Sequence, residues 1–362
     1  MTDCYILSVP IDIINIVINI LPQNAKIFFI STCNYFFKNI YIYQLRSKNT
    51  RLRDEMLHQS KFQFIQKMIL FRYDAIYEIS FLSCLTDLNL YFNKNRIDIS
   101  PLTKLIRLNI AFANLKHNDI NNLTNLTILN LSGNSKIDNI TQLTNLTKLN
   151  LLGCFSTVKQ DSMDKLSNLL SLNISHNENI KNISHLTNLT ELHLRENVNI
   201  DQNTINKLTR LVYLDLYGNK IISDVAYLTN LTKLNIRNTN SGQNSIMNLN
   251  SLVSLNISNN KNIKSINHLT NLTKLNISNT NIGQDSIMNL NSLVSLNISN
   301  NKNIKFISHL SNLTKLNISN NNIGQDNIMN LYSLVSLNIS YNTQIISVTH
   351  LTNLKKLKKK YI

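Results

Sequence analysis

The chain has 362 residues, 43% of them hydrophobic, with no Trp, 6 Gly, 3 Pro and a formal net charge of +16. This apolar share excludes a wholly disordered chain, and the shortage of Gly and Pro excludes long flexible linkers. The four cysteines, Cys4, Cys33, Cys84 and Cys154, form no C-x-x-C. That excludes a cysteine zinc site and points to reduced thiols, so the cytoplasm, with the nucleus as the alternative, is the expected compartment.

From the N-terminus, Tyr5 to Leu21 is apolar but contains Pro10, Asp12, Asn15 and Asn19, and no basic residue precedes it. It is too short to span a bilayer and is read neither as a signal nor as an anchor. Residues 1–75 read as helices, with Ile13, Ile16, Val17 and Ile20 at helical spacing. Leu7-Ser8-Val9-Pro10 precedes Ile13-Ile14, and a second run follows through Ile27, Phe28, Phe29, Cys33, Tyr35 and Phe36. This stretch of residues 1–45 resembles an F-box. Val9 departs from the usual Leu, and Gln23-Asn24 stands where an acidic residue is common. The resemblance implies docking onto the linker subunit of a cullin-type ubiquitin ligase through Val9, Pro10, Ile13, Ile14, Ile27, Phe29 and Cys33. Residues 46–79, with Leu57, Phe62, Phe64, Ile65, Met68 and Ile69, are expected to form a helical linker or cap.

Residues 80–362 repeat one unit, L-x-x-L-x-L/I-x-x-N. Clear copies are Leu126-Leu129-Leu131-Asn134, Leu189-Leu192-Leu194-Asn197, Leu252-Leu255-Ile257-Asn260 and Leu313-Leu316-Ile318-Asn321. Fourteen units follow in register, and their lengths alternate, so the true period is a pair of about 41 residues. The last two leucines of each motif are two apart and share one face of a short strand. The Asn, able to donate and accept at once, suits a stacked ladder in the turn. Thr239 and Thr280 replace it in two units and should weaken the ladder there. Return segments alternate between an extended form (Asn262 to Leu269) and a helical-turn form (Ile282 to Leu290). The Asn-x-Ser/Thr triplets, such as Asn256-Ile257-Ser258, are by-products of the repeat.

These units resemble the short leucine-rich repeat of about 20–22 residues. The resemblance implies an α/β repeat solenoid: an arc with a parallel concave sheet, preceded by a small helical N-terminal domain. Joined to the F-box-like head, the whole is similar to F-box/leucine-rich repeat proteins of protists and large DNA viruses. It implies a substrate-recognition adaptor of a ubiquitin ligase, with linker subunit and cullin as partners. A stand-alone binding scaffold is the alternative.

No phosphate loop, dinucleotide fingerprint, zincin motif or nucleophile elbow occurs. His185, His268, His309 and His350 recur in one slot ahead of a leucine and are read as structural. No catalytic residue, cofactor or metal is therefore expected. Binding residues are expected on the outward positions of the strands. The later units carry only Ser, Asn and Lys there. Glu191, His193, Arg195, Tyr213, Asp215, Tyr217, Lys233 and Arg237 break the monotony on three adjacent units and form the candidate target-binding patch. A lysine stripe, Lys148, Lys233, Lys274, Lys315 and Lys356, could meet an acidic or phosphate-bearing partner. Without interleaved aromatic residues a nucleic-acid partner is not expected, nor is a membrane.

Overall fold

The computed structural model describes residues 21–22, 44–46 (backbone), 65–70, 76–153 and 156–360. The F-box-like docking residues Val9, Pro10, Ile13, Ile14, Ile27, Phe29 and Cys33 lie outside these. Among the described residues no helix is long and apolar enough to cross a membrane.

The chain divides into two compact units, Met1–Leu169 and Leu170–Ile362. In the first, six three-residue strands pair in parallel and in chain order. They are β1 (Gln44–Arg46), β2 (Lys67–Ile69), β3 (Asp87–Asn89), β4 (Arg107–Asn109), β5 (Ile128–Asn130) and β6 (Lys148–Asn150). The second holds β7 (Ser171–Asn173), β8 (Glu191–His193), β9 (Tyr213–Asp215), β10 (Lys233–Asn235) and β11 (Ser254–Asn256). It continues with β12 (Lys274–Asn276), β13 (Ser295–Asn297), β14 (Lys315–Asn317), β15 (Ser336–Asn338) and β16 (Lys356–Lys358). These strands are again parallel and sequential. Each unit is thus a solenoid of leucine-rich repeats.

The motif explains the strand. In Leu189-x-x-Leu192-x-Leu194 all three leucines are fully buried, while Glu191 and His193 beside Leu192 are only half-buried. Each fully buried leucine contributes roughly 1.5–3 kcal/mol. β2 shows the same spacing as Ile65-x-x-Met68-x-Leu70, all three buried. This strand falls inside the 46–79 segment expected to be a helical cap. It pairs with β3 in the common register, Met68 opposite Leu88. The repeat therefore begins upstream of its first leucine-rich copy, with Ile and Met standing for Leu.

The predicted asparagine ladder is present from Asn197 onward, whereas the buried Nδ2 groups of Asn134 and Asn177 meet no acceptor among the described residues. Asn197 Nδ2 donates to the carbonyls of Ile174 and Asn177, both at 3.0 Å, and Asn219 Nδ2 to that of Asn197 at 2.7 Å. Each Oδ1 accepts from its own turn, from Asn199 and Ile200 in one repeat and from Ile221 and Ile222 in the next. At the two substituted units the ladder thins as expected. Thr239 and Thr280 donate to carbonyls of their own repeat, at Ile236 and Ile277, and accept from the Asn of the next repeat. Neither reaches the repeat before it.

The residue ahead of each ladder Asn is in the left-handed region, which Gly and Asn tolerate best. Gly133 (φ 63), Gly218 (φ 70) and five asparagines between Asn238 and Asn320 hold it, two of these ahead of Thr239 and Thr280, while Phe92, His176, Glu196 and Tyr341 hold it at four other turns. At Gly133 an added Cβ would also meet the ring of the partly exposed Phe112, which would have to turn aside.

Helical returns recur every second repeat, at His117–Asp119, α1 (Gln160–Met163), α2 (Gln202–Asn206), Gln243–Ile246, Gln284–Ser286 and Gln325–Asn327. This bears out the paired period. Four of them carry a glutamine clamp. Gln284 Oε1 accepts from Lys305 N and Phe306 N, both at 3.0 Å, while Nε2 donates to the Phe306 carbonyl at 2.8 Å. Gln202, Gln243 and Gln325 do the same to their following returns. Gln284→Ala breaks three bonds to groups that water can reach, so its expected cost is about 1–2 kcal/mol. Faster amide exchange at Lys305 and Phe306 is the readout, and unchanged exchange would contradict the clamp.

Candidate protein-binding face

Four adjacent strands of the second unit, β7 to β10, present the candidate patch. Parallel register sets Ser171 beside Glu191, Glu191 beside Tyr213, and Tyr213 beside Lys233. It also sets His193 beside Asp215 and Asp215 beside Asn235. Sequence spacing placed these residues on one face, and the structure brings them into one network.

Asp215 is its centre and differs from the expectation of a surface contact. Its side chain is fully buried. Arg195 Nε meets Oδ2 at 2.5 Å, the Tyr213 hydroxyl donates weakly to the same oxygen at 3.4 Å, and Asn235 Nδ2 donates to Oδ1 at 2.9 Å. The backbone N–H of Tyr217 also donates to Oδ1, at 3.1 Å. A buried carboxylate needs such partners. Asp215 therefore orders the patch from beneath, and a partner would touch what lies above it. The bond from Asp215 raises the pKa of Arg195. Burial, and then the Asp215 charge, push the Tyr213 hydroxyl above its ordinary value, so it stays a donor at neutral pH.

Around this centre, His193 Nε2 lies 3.0 Å from Glu191 Oε1, Ser171 Oγ donates to Glu191 Oε2 at 2.8 Å, and the His193 ring packs on Tyr213 at 4.8 Å. The Arg237 guanidinium sits 5.2 Å over the Tyr217 ring. Cation–π contact of this kind holds both side chains in place while leaving them accessible. Lys233 is exposed and has no ion-pair partner among the described residues. Sequence reasoning placed Asn235 on this face but missed Ser171 and Ser175. Ser175 Oγ accepts from Arg195 N at 3.1 Å. Aligning the repeats would have found both, since each lies one unit away at the matching position.

The recurrent histidines are structural where their contacts are seen. Nε2 of His268, His309 and His350 lies 3.1, 3.2 and 3.1 Å from the carbonyls of Ile246, Ile287 and Ile328 in the preceding returns. Within the second unit Lys233, Lys274, Lys315 and Lys356 stand at the first position of alternate strands, β10, β12, β14 and β16, while β8 carries Glu191 there. Lys148 holds the same position on β6 of the first unit.

No known family profile matches the chain, and no curated protein sequence matches it. Solved structures do. An internalin from Listeria monocytogenes is 25% identical, over 84% of this chain and 92% of its own, with a TM-score of 0.55. A leucine-rich repeat protein from Leptospira interrogans is also 25% identical, over 90% of this chain and 85% of its own, with a TM-score of 0.57. The fold is that of a leucine-rich repeat solenoid, a class built to offer extended surfaces to partners.

Proposed function

We propose that the chain is a non-catalytic binding scaffold whose protein partner docks over Arg195, Tyr213, Tyr217, Lys233 and Arg237. The observation that carries this is the buried Asp215. It fixes an arginine and a tyrosine in advance, so less side-chain freedom is lost on binding. Arginine and tyrosine are the residue types that anchor protein interfaces. A photo-crosslinking amino acid at position 217 of the full chain tests it against the same group at the exposed Tyr332. Protein adducts at position 217 that disappear with Arg195→Ala, with few at position 332, support this reading. Equal labelling at both sites would refute it.

The finer reading, a ubiquitin-ligase adaptor, rests on the F-box-like residues of segment 1–45. Val9, Pro10, Ile13, Ile14, Ile27, Phe29 and Cys33 would engage the linker subunit, and the repeats would hold the target close to the ubiquitin-charged enzyme. The full chain should then co-purify with linker subunit and cullin, and Ile13→Asp should abolish this with the repeat circular dichroism unchanged. No co-purification leaves the scaffold alone.

A further inference from the structure

From residue 233 to 360 the chain carries thirteen Lys and Arg against two acidic residues, Asp285 and Asp326. Both acids lie in helical returns and none on a strand. The strands β11 to β15 show only Ser, Asn and Lys at their outward positions. Lys274, Lys315 and Lys356 occupy the first position of alternate strands, separated by Ser295 and Ser336. None of the three has an ion-pair partner among the described residues.

The third strand position adds a second row. The backbone N–H two residues on meets the Oδ1 of Asn256, Asn276, Asn297, Asn317 and Asn338 at 3.0–3.1 Å. A backbone N–H can only donate, so the atom it meets must be the amide oxygen. Every amide nitrogen is thereby turned away from the turn, and no protein acceptor meets it among the described residues. The asparagine oxygens of this face are held by its own backbone, whereas its amide and ammonium donors are open. A face of lysine ammonium, serine hydroxyl and asparagine N–H₂ groups, with no carboxylate, is chemically complementary to a row of anions.

We propose that strands β11 to β16 bind an extended acidic segment of the partner protein. This rests on the scaffold reading above and names the chemistry of what it holds. Lysines on alternate strands are about 9.6 Å apart, twice the strand spacing, and three residues of an extended chain in the polyproline II form, which returns every third side chain to one face, span about 9.3 Å. Carboxylates at every third residue would therefore meet successive lysines and use the amide row between them. A nucleic acid fits less well, since no aromatic side chain stands on these strands for base stacking.

The probe is a fluorescein-labelled 15-residue peptide with Glu at every third position and Ser elsewhere, titrated against the full chain at low salt. Its Gln counterpart and a single-stranded DNA 12-mer are the controls. Binding of the Glu peptide should weaken at least tenfold in the triple variant Lys274→Gln, Lys315→Gln, Lys356→Gln. It should hold within twofold in a variant with Lys261, Lys264, Lys302 and Lys305, which lie off the strands, changed to Gln. Equal loss in both variants would mean unspecific charge attraction, and tighter binding of the DNA would assign the face to nucleic acid. Either result, or no binding of the peptide, overturns the proposal. Adducts at position 217 would still stand in each case, so the scaffold reading fails or survives separately.

Discussion

Asn219→Ala should lower the stability of the second unit by about 3–5 kcal/mol. The side chain is fully buried, and its removal strands three backbone groups: the Asn197 carbonyl and the N–H groups of Ile221 and Ile222. A buried polar group left without a partner costs about 1–3 kcal/mol, and no water replaces the amide unless the repeats part. A long repeat array need not unfold in one step. Amide exchange at Ile221 and Ile222 is therefore a better readout than a single melting curve. Protection there should fall by at least a hundredfold. The reverse change, Thr239→Asn, restores the missing link to the repeat before it and should gain about 0.5–1 kcal/mol. If Asn219→Ala costs under about 1 kcal/mol, the ladder is an ornament of the turn and stacking rests on the leucines alone.

Most of the solenoid could be read from the sequence because its physics is repeated. The spacing of Leu192 and Leu194 gives a strand face, and fourteen copies turn a weak local signal into a secure one. The alternation of return segments was legible for the same reason, since Gly283-Gln284-Asp285 recurs about every 41 residues with small changes. β2 escaped because Ile65 and Met68 fill leucine positions, and a pattern search tuned to Leu passes over them. The glutamine clamps escaped for a different reason. An exposed Gln in a loop reads as a solvated side chain, and only the fold shows that two N–H groups and a carbonyl of the next repeat stand opposite it. The Asn-Leu-Thr runs hid a further ladder. Asn230, Asn271 and Asn312 each donate to a carbonyl about 21 residues earlier, at 3.0 Å.

The binding patch was legible as a place but not as an arrangement. Breaks in the monotony of Ser, Asn and Lys pointed to Arg195, Tyr213 and Asp215. Their register made them neighbours. Strand alternation alone then puts Asp215 on the solvent side, yet it is buried there, because the side chains one strand away are long enough to close over it. Burial by neighbouring long side chains depends on rotamers, which no periodicity encodes.

Asp215 separates the stability of the patch from its binding role, and two substitutions should part them. Asp215→Ala removes the acceptor for Tyr217 N–H, Asn235 Nδ2, Tyr213 and Arg195 together. With two of these groups tied to the strand and its turn, the expected cost is about 2–4 kcal/mol. Asp215→Asn should cost only about 1 kcal/mol. The matching position of the next strand is already an Asn, and Asn235 Oδ1 accepts the N–H of Arg237 just as Asp215 accepts that of Tyr217. An asparagine at 215 would keep that oxygen in place and turn its N–H₂ toward Arg195. Two donors then face each other, and the half-exposed guanidinium should leave for solvent, which limits the energetic loss. Thermal unfolding should therefore rank the variants Ala well below Asn, with Asn near the parent chain. Crosslinking from position 217 should fall at least tenfold in both. A fully active Asp215→Asn chain would mean that Arg195 binds without being held, and the case for a preformed patch would fail.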